Sequence, residues 1–560
     1  MDKALPPVAG ILCFLLLWGG PVRAENHPDA LIFQAMEEEM ARSLTQLKID
    51  VFEPPYFILY QIRHHDRTEV VATFGSLVQA GVDHKRTLFV DVRVGDPQFD
   101  SSHPNSHQMP LEQLIPVDND LDALKRALWY ETDLRYKQAI MNYLKKKGRL
   151  ISGLEDHELP DFTRSGSGQV HLEPVPPFAP DLSAWKTLAR RVSGRFRHAP
   201  DIEKSRVKLI GDRSIRYYLD SEGNRIRDGR VQYGIVLEAW TKTPDGRQLH
   251  DQDTLFFAAG EPFPPEAELF ERVDRIASGL KALREAAAMD PYVGPALFSP
   301  DATAVLFHEA IGHRLEGDRL RLRKDGKTFL KKVGQAILPS FLTVVDNPRL
   351  ESYQGHPLLG HYRIDDQGQA GQEVVLVENG VLKNFLLSRQ PVLGFARTNG
   401  HARSDGLRFP VSRMSTLIVR SSRTEPPERL KTLLIEEIRR QNKPFGLYVR
   451  KIMGGETLTE QGRYQVFKGT PLYMYKVYPD GREELVRGAE FVGTPLSLVS
   501  KIRRVGDDAT VINGFCTAES GILPVTSITP TVLLSEVELQ TASPLRVRPP
   551  ILPPPPLSNP

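Results

Sequence analysis

The sequence predicts an α+β protein: a mixed helix/sheet N-terminal domain over residues 25–290, then a mainly β C-terminal domain over 291–545. Three observations predict it. Up to Pro291, helical apolar stripes alternate with aromatic and β-branched runs of strand length. Past Pro291, hairpin and turn signals dominate. The 560 residues include 44 Pro and 42 Gly, which favours turns and short strands over a long helical array. With 40% hydrophobic and 25% charged residues the chain can bury a large core, which excludes wholesale disorder. The 72 basic and 70 acidic residues leave a net charge of +2, too small an excess for a nucleic-acid binder.

Residues 1–24 (MDKALPPVAGILCFLLLWGGPVRA) have the layout of a secretory signal peptide. An apolar run from Val8 to Trp18 precedes the breakers Gly19, Gly20 and Pro21 and the small-residue site ending at Ala24. The run is shorter than the roughly 20 residues a membrane helix needs, so export with no stable membrane insertion after cleavage is expected. An uncleaved anchor is the alternative, and Ile11-Leu12-Cys13 fits a lipoprotein site poorly. Cleavage leaves a single cysteine, Cys516. A lone exported thiol is buried and inert, pairs with another chain, or is held as a metal thiolate.

In the first domain, residues 27–47 carry a helical stripe (Leu31, Ile32, Ala35, Met36, Met40, Leu44, Leu47). Residues 56–63 and 87–94 read as strands. A long helix is expected over 120–148, stopped by Lys145-Lys146-Lys147 and Gly148. Residues 155–180, rich in Pro, Ser and Gly, read as an exposed connection, and 181–196 as a short helix. Residues 204–258 read as strands with turns at 221–224 and 244–246, and 264–288 as a helix with Leu269, Val273, Ile276, Leu280 and Leu283 inward.

In the second domain a helical pattern covers 300–311. Val374–Val377 and Val381–Phe385 flank Asn379-Gly380 as a hairpin. An amphipathic helix is expected over 426–442 and a further turn at Pro479-Asp480-Gly481. The tail 546–560, mostly Pro, cannot continue a sheet.

The chemistry-bearing stretch is Ala304-Val305-Leu306-Phe307-His308-Glu309-Ala310-Ile311-Gly312-His313. Its histidines are five apart, not the four of the familiar zinc helix. Five residues advance an α-helix by ~500°, leaving the imidazoles roughly 140° apart. One metal can take both only if the helix widens into a π turn or ends near Gly312 and turns His313 back. His308 and His313 would then supply imidazole nitrogens, with Glu309 beside a metal-activated water as general base. A catalytic zinc usually has three protein ligands. From this stretch alone the third is Glu316, Asp318 or a distant residue.

The same stretch, continued by Arg314-Leu315-Glu316-Gly317-Asp318, resembles the signature of the TldD/PmbA (TldD/TldE) metallopeptidases. So do Ile364-Asp365-Asp366-Gln367-Gly368, Glu378–Lys383, Asn399-Gly400-His401-Ala402-Arg403, Pro410-Val411-Ser412-Arg413-Met414, and Gly514-Phe515-Cys516 with Pro524-Val525. The resemblance spans roughly residues 290–540. It implies one zinc per chain on His308, His313 and Cys516, Glu309 as catalytic base, and hydrolysis of unfolded or flexible peptides held in an extended form. It also implies a homodimer, or a heterodimer with a related TldE-like subunit. Arg413, Met414, His401 and Arg403 are candidates for lining the substrate cleft; His401 and Arg403 are also candidates to steady an oxyanion. Asp365-Asp366 reads as a turn, with a calcium or ligand-supporting pair as the alternative. Glu316 and Asp318 are candidates to orient a ligand histidine.

Two features depart from the family. The export signal points to a periplasmic or secreted bacterial branch, and Arg314 stands where a small residue is frequent. Two other functions compete with the peptidase. One is a non-catalytic TldE-like or peptide-binding scaffold subunit, which has no need for base and ligands together. The other is a thiol peptidase using Cys516, which leaves Glu309 and one histidine idle.

Overall fold

The computed structural model describes residues 28–542 except 50, 53, 103–112, 154–156, 167, 259–260, 262, 322–328, 330, 458–466 and 492; of the tail it describes 552 and 555. The expected signal peptide, Cys13 and nearly all of the Pro-rich tail lie outside the described residues.

The N-terminal half is built on one seven-stranded sheet. Its longest strands, Phe57–Thr73, Ser76–Arg93, Lys204–Asp220 and Arg225–Lys242, run antiparallel, and Gln248–Ala258 pairs with the last of these. The first hairpin turns at Phe74 (φ 44°) and Gly75 (φ 83°), the left-handed pair that a two-residue loop between twisted strands requires. Because side chains alternate along a strand, Ile58, Tyr60, Ile62 and Val70 face one way and Phe57, Leu59 and Arg63 the other. The first face packs on the helices Pro28–Gln46 and Leu121–Ile151 in one core and on Leu182–Gly194 and Glu266–Glu285 in a second. The opposite face turns toward the C-terminal domain, with Phe57, Leu59 and Tyr218 packed with Ile364.

The chain enters the second half where Ala287–Ala288 pairs with Glu483–Arg487, just ahead of the expected boundary. Here the architecture is mainly β, as the turn-rich sequence predicts. An eight-stranded sheet includes Tyr292–Phe298, Gly446–Thr457 and Val532–Thr541. A six-stranded sheet runs in the order Val381–Leu382, Val374–Glu378, Leu342–Asp346, Thr416–Ser421, Gly521–Thr529, Thr510–Ala518. The Asn379-Gly380 hairpin forms as predicted, with φ of 48° and 81°. The amphipathic helix spans Pro427–Arg440 and buries Leu430, Leu434 and Ile438.

The structure corrects two expectations in the first half. The long helix is capped by Asp120, whose side chain accepts the Ala123 N–H, but it runs through Gly148 to Ile151. Lys146 is no exposed end charge: it is buried, ion-paired with Asp161, and donates to Asp100 O and Ser102 O. Part of the connection near 155–180 is also buried. Phe162 is 2% exposed, packs 5.2 Å from the Phe57 ring and lies under the Arg389 guanidinium, while Thr163 N donates to Arg389 O. The reason is common to both. Polar residues that look solvated in a linear reading become buried once they find a charged or aromatic partner far along the chain.

Candidate metal centre

Ser299 starts the helix by accepting the Ala302 N–H, with Pro300 in the first turn, where a missing N–H costs nothing. Pro300–Phe307 is α-helical and buries Ala302, Leu306 and Phe307 in the main C-terminal core. At His308 the winding widens. His308–Gly312 is a π turn, followed by a 3₁₀ turn at His313–Leu315. This is the first of the two solutions the five-residue spacing demanded. The extra residue per turn brings the two rings to 4.8 Å between centroids, almost perpendicular at 89°. Gly312 has an ordinary helical φ of −53°, so its role is space. A Cβ there would overlap Met414 Sδ, and Met414 is buried against it.

Cys516 reaches the same point from the edge strand Thr510–Ala518, held by antiparallel pairing with Gly521–Thr529. Its Sγ lies 3.2 Å from His308 Nε2 and 3.3 Å from His313 Nε2. Of the third ligands left open by the helix motif, the distant one converges and the near ones take other roles. Glu316, fully buried, accepts His313 Nδ1 at 3.0 Å and Arg319 Nε at 2.8 Å. Asp318 is bound to Ser388 Oγ and Ser412 N, both at 2.7 Å.

A tetrahedral zinc with bonds of ~2.0–2.1 Å to nitrogen and ~2.3 Å to sulfur sets its ligand atoms about 3.5 Å apart. The two nitrogen–sulfur separations are close to that, and all three donor atoms lie within 4.8 Å of one another. Two imidazoles and a thiol are also a zinc-type donor set, so the residues present fit the ion. The electrostatics prepare it. Burial alone would push the Cys516 thiol up, but hydrogen bonds from His308 and His313 bring it down to about 5. Burial opposes charge on His313, yet the Glu316 carboxylate and the Cys516 contact raise it to about 10. Glu316 itself, despite burial, is held well below the usual carboxylate range by His313 and Arg319. Glu309 follows His308 in the π turn and is 8% exposed. The neighbouring Arg314 is buried, and its guanidinium is held down to about 10 by burial and by Arg319, with Glu309 pulling the other way.

The remaining candidates sit differently from a cleft lining. Arg413, 1% exposed, donates to Cys516 Sγ and Cys516 O, both at 3.1 Å, and to Ser520 Oγ at 3.1 Å. It braces the cysteine loop, and Met414 fills the space over Gly312; neither faces an open cleft. His401 is fully buried between Asn399 and Asp346, with Nε2 3.1 Å from Asp346 Oδ1, which makes it structural and removes it as an oxyanion donor. Arg403 donates to Met414 O and Pro524 O and also lines a cavity beside the cysteine hairpin. Asp365 forms a turn, accepting Gln367 N and Gln369 N, and Asp366 pairs with Arg63 and Arg216 of the N-terminal sheet. The Arg413–Cys516 contact was not legible in sequence; its only signal there was an arginine in a family segment.

Residues 292–541 match the family model described as PmbA/TldA metallopeptidase C-terminal domain. The chain is 28% identical over 335 residues to a protein of Methanothermobacter thermautotrophicus named a metalloprotease, covering 59% of this chain and 68% of that one. It is 27% identical over 249 residues to a zinc metalloprotease TldD homolog of Saccharolobus solfataricus, covering 44% of this chain and 51% of that one. Its fold is similar to the crystal structure of TldE from Thermococcus kodakarensis, with a TM-score of 0.57 at 16% identity, over 90% of this chain and 100% of that one. It is also similar to a Thermotoga maritima protein described as a candidate modulator of DNA gyrase, with a TM-score of 0.60 at 13% identity, over 90% and 99%. The residues that carry the two histidines and the cysteine thus lie in a stretch similar to the C-terminal domain of the PmbA/TldA metallopeptidases.

Proposed function

We propose that the protein is an exported zinc peptidase of the TldD type that hydrolyses peptide bonds in unfolded or flexible peptides. The observation that carries this reading is the meeting of His308, His313 and Cys516 across a π turn, beside Glu309. His308 Nε2, His313 Nε2 and Cys516 Sγ would hold the ion. A bound zinc would supply Lewis acidity and lower the pKa of water from 15.7 to roughly 7. Glu309 takes a proton from the attacking water onto a carboxylate oxygen and returns it to the leaving amine, as the new C–O bond forms and the C–N bond breaks. Glu316 fixes the His313 ring through Nδ1, which leaves Nε2 for the ion. An extended peptide bound through its main chain presents the same donors and acceptors whatever its sequence, which suits flexible substrates.

A homodimer or a pairing with a TldE-like subunit, and a periplasmic or secreted location, belong to this reading. Among the described residues no helix is long and apolar enough to cross a membrane. The non-catalytic TldE-like reading draws on the structural likeness to TldE, but a scaffold has no use for base and ligands together.

Metal analysis of the purified mature protein is expected to give about one zinc per chain, lost in Cys516→Ala, with cleavage of an unfolded casein stopped by a chelator. Glu309→Gln should keep the zinc and lose activity by about 10²–10⁴-fold, the range of a general base. Normal cleavage by that variant would remove Glu309 as the base. Normal cleavage with no zinc bound would point to the thiol mechanism. Amino-terminal sequencing of the exported protein tests cleavage after Ala24.

A further inference from the structure

Between the exposed face of the N-terminal sheet and the C-terminal domain lies a cavity of about 430 Å³. Arg63, Arg216 and Arg230 line it from the sheet and Arg403 from the other side. Phe515 and Ile522, from the hairpin that carries Cys516, line it with large apolar side chains that remain 46% and 58% exposed. Phe515 directly precedes Cys516 in the strand, and successive side chains point to opposite faces, so the cavity lies on the other side of the hairpin from the thiol.

The carboxylates around this cavity are already engaged. Asp366 takes Arg63 at 2.5 Å and Arg216 at 2.9 Å, and Asp228 also pairs with Arg216. Asp405 pairs with Arg408, and Asp212 with Arg67. Asp365 accepts backbone N–H groups, the third from Ala402. Arg213 is matched by Asp66, and Glu173 by His171 and Arg363. Among the described residues, two arginines of the cavity have no carboxylate at ion-pair distance. Arg230 donates to a carbonyl, Leu359 O, at 3.3 Å. Arg403 also donates to carbonyls, and stacks on the Tyr362 ring 5.1 Å away. Arg230 is itself exposed at the cavity's rim, and desolvation, then the like charges of Arg403 and Arg63, disfavour its charge against the pull of Asp228 and Asp366. An anion entering here relieves that repulsion.

We propose that Arg230, backed by the charge of Arg403, is a carboxylate-binding site, and that its ligand is the C-terminal carboxylate of a peptide with an apolar last residue. This deepens the peptidase reading and rests on it. The apolar wall decides between terminal and side-chain carboxylates. A C-terminal Leu or Phe brings an apolar group and a carboxylate on one residue, matching Phe515 and Ile522 beside Arg230. An internal Asp or Glu brings only the charge. A guanidinium also accepts a carboxylate in a planar, two-bond geometry. A chain end anchored here is held across the cysteine hairpin from the metal centre.

The test is calorimetric titration of full-length Glu309→Gln protein, in which turnover is expected to be lost. Three peptides are compared: one ending in Leu with a free carboxylate, its amide, and an amide ending in Glu. The free acid is expected to bind about tenfold tighter than its amide, the worth of one charge-assisted hydrogen bond. Arg230→Gln should erase that difference with zinc content unchanged, and Arg230→Lys should keep part of it. Equal binding of acid and amide overturns the proposal, and tight binding of the Glu amide overturns the terminal assignment. If wild type cleaves no peptide while the acid–amide difference persists, the peptidase reading fails and the carboxylate site stands. Cleavage with no such difference does the reverse.

Discussion

Gly312 shows how one missing side chain shapes the centre. Its place under Met414 lets the π turn close, and Gly312→Ala would drive a methyl into Met414 Sδ. That substitution is expected to cost about 1–3 kcal/mol and to lower zinc occupancy, read by denaturant unfolding and metal analysis. Truncating Met414 in the same chain should give back part of the loss, a coupling a double-mutant cycle measures. Glu316→Gln weakens the hold on His313 and on Arg319; zinc affinity in a chelator competition should fall about 10–100-fold. At this scale much of the centre was legible. The five-residue spacing of His308 and His313 demanded either a widened turn or an early helix end near Gly312, and a π turn is present. Cys516 was not legible from spacing, since 208 positions separate it from His308 and periodicity carries no information across that distance. Only the family resemblance named it. For Arg413 the sequence left cleft lining and packing both open, because it shows charge but not burial; the side chain is 1% exposed.

Among the elements, the Leu121–Ile151 helix illustrates where sequence punctuation fails. Gly148 reads as a stop after three lysines, yet the winding continues because Lys146 is anchored to Asp161 and the next turn follows from it. The glycine is exposed, has helical geometry, and a Cβ there would meet nothing. Gly148→Ala should therefore stabilise the protein by about 0.5–1 kcal/mol, seen as a raised Tm. The long ribbon Phe57–Arg93 escaped the sequence reading in its middle for a related reason. His64, Asp66, Arg67 and Glu69 look like loop residues, but each is satisfied by a charged neighbour within the sheet. Apolar stripes, by contrast, placed the other helices to within a few residues.

For the molecule as a whole, Asp366 is a hinge pin between the halves. It belongs to the C-terminal domain and holds Arg63 and Arg216 of the N-terminal sheet. Burial disfavours its charge, but those two arginines hold its carboxyl below the usual range. A depressed carboxyl contributes stability that is complete above its unfolded pKa, near pH ~4, and is lost as the pH falls through the folded value. The contact between the halves should therefore loosen on acidification below about pH 4. Asp366→Asn leaves Arg63 without its carboxylate and Arg216 with Asp228 alone, and is expected to cost about 3–5 kcal/mol. In calorimetry it should split one unfolding transition into two.

The convergence of His308 and Cys516 also sets an order of events during biosynthesis. The imidazoles leave the ribosome some two hundred positions before the sulfur, and the strand that bears the sulfur needs a still later partner for its pairing. A nascent chain thus lacks the full donor set until almost the last of the described strands is made. Ion capture, and any peptide-cutting power that depends on it, is deferred until the hairpin that bears the sulfur has closed.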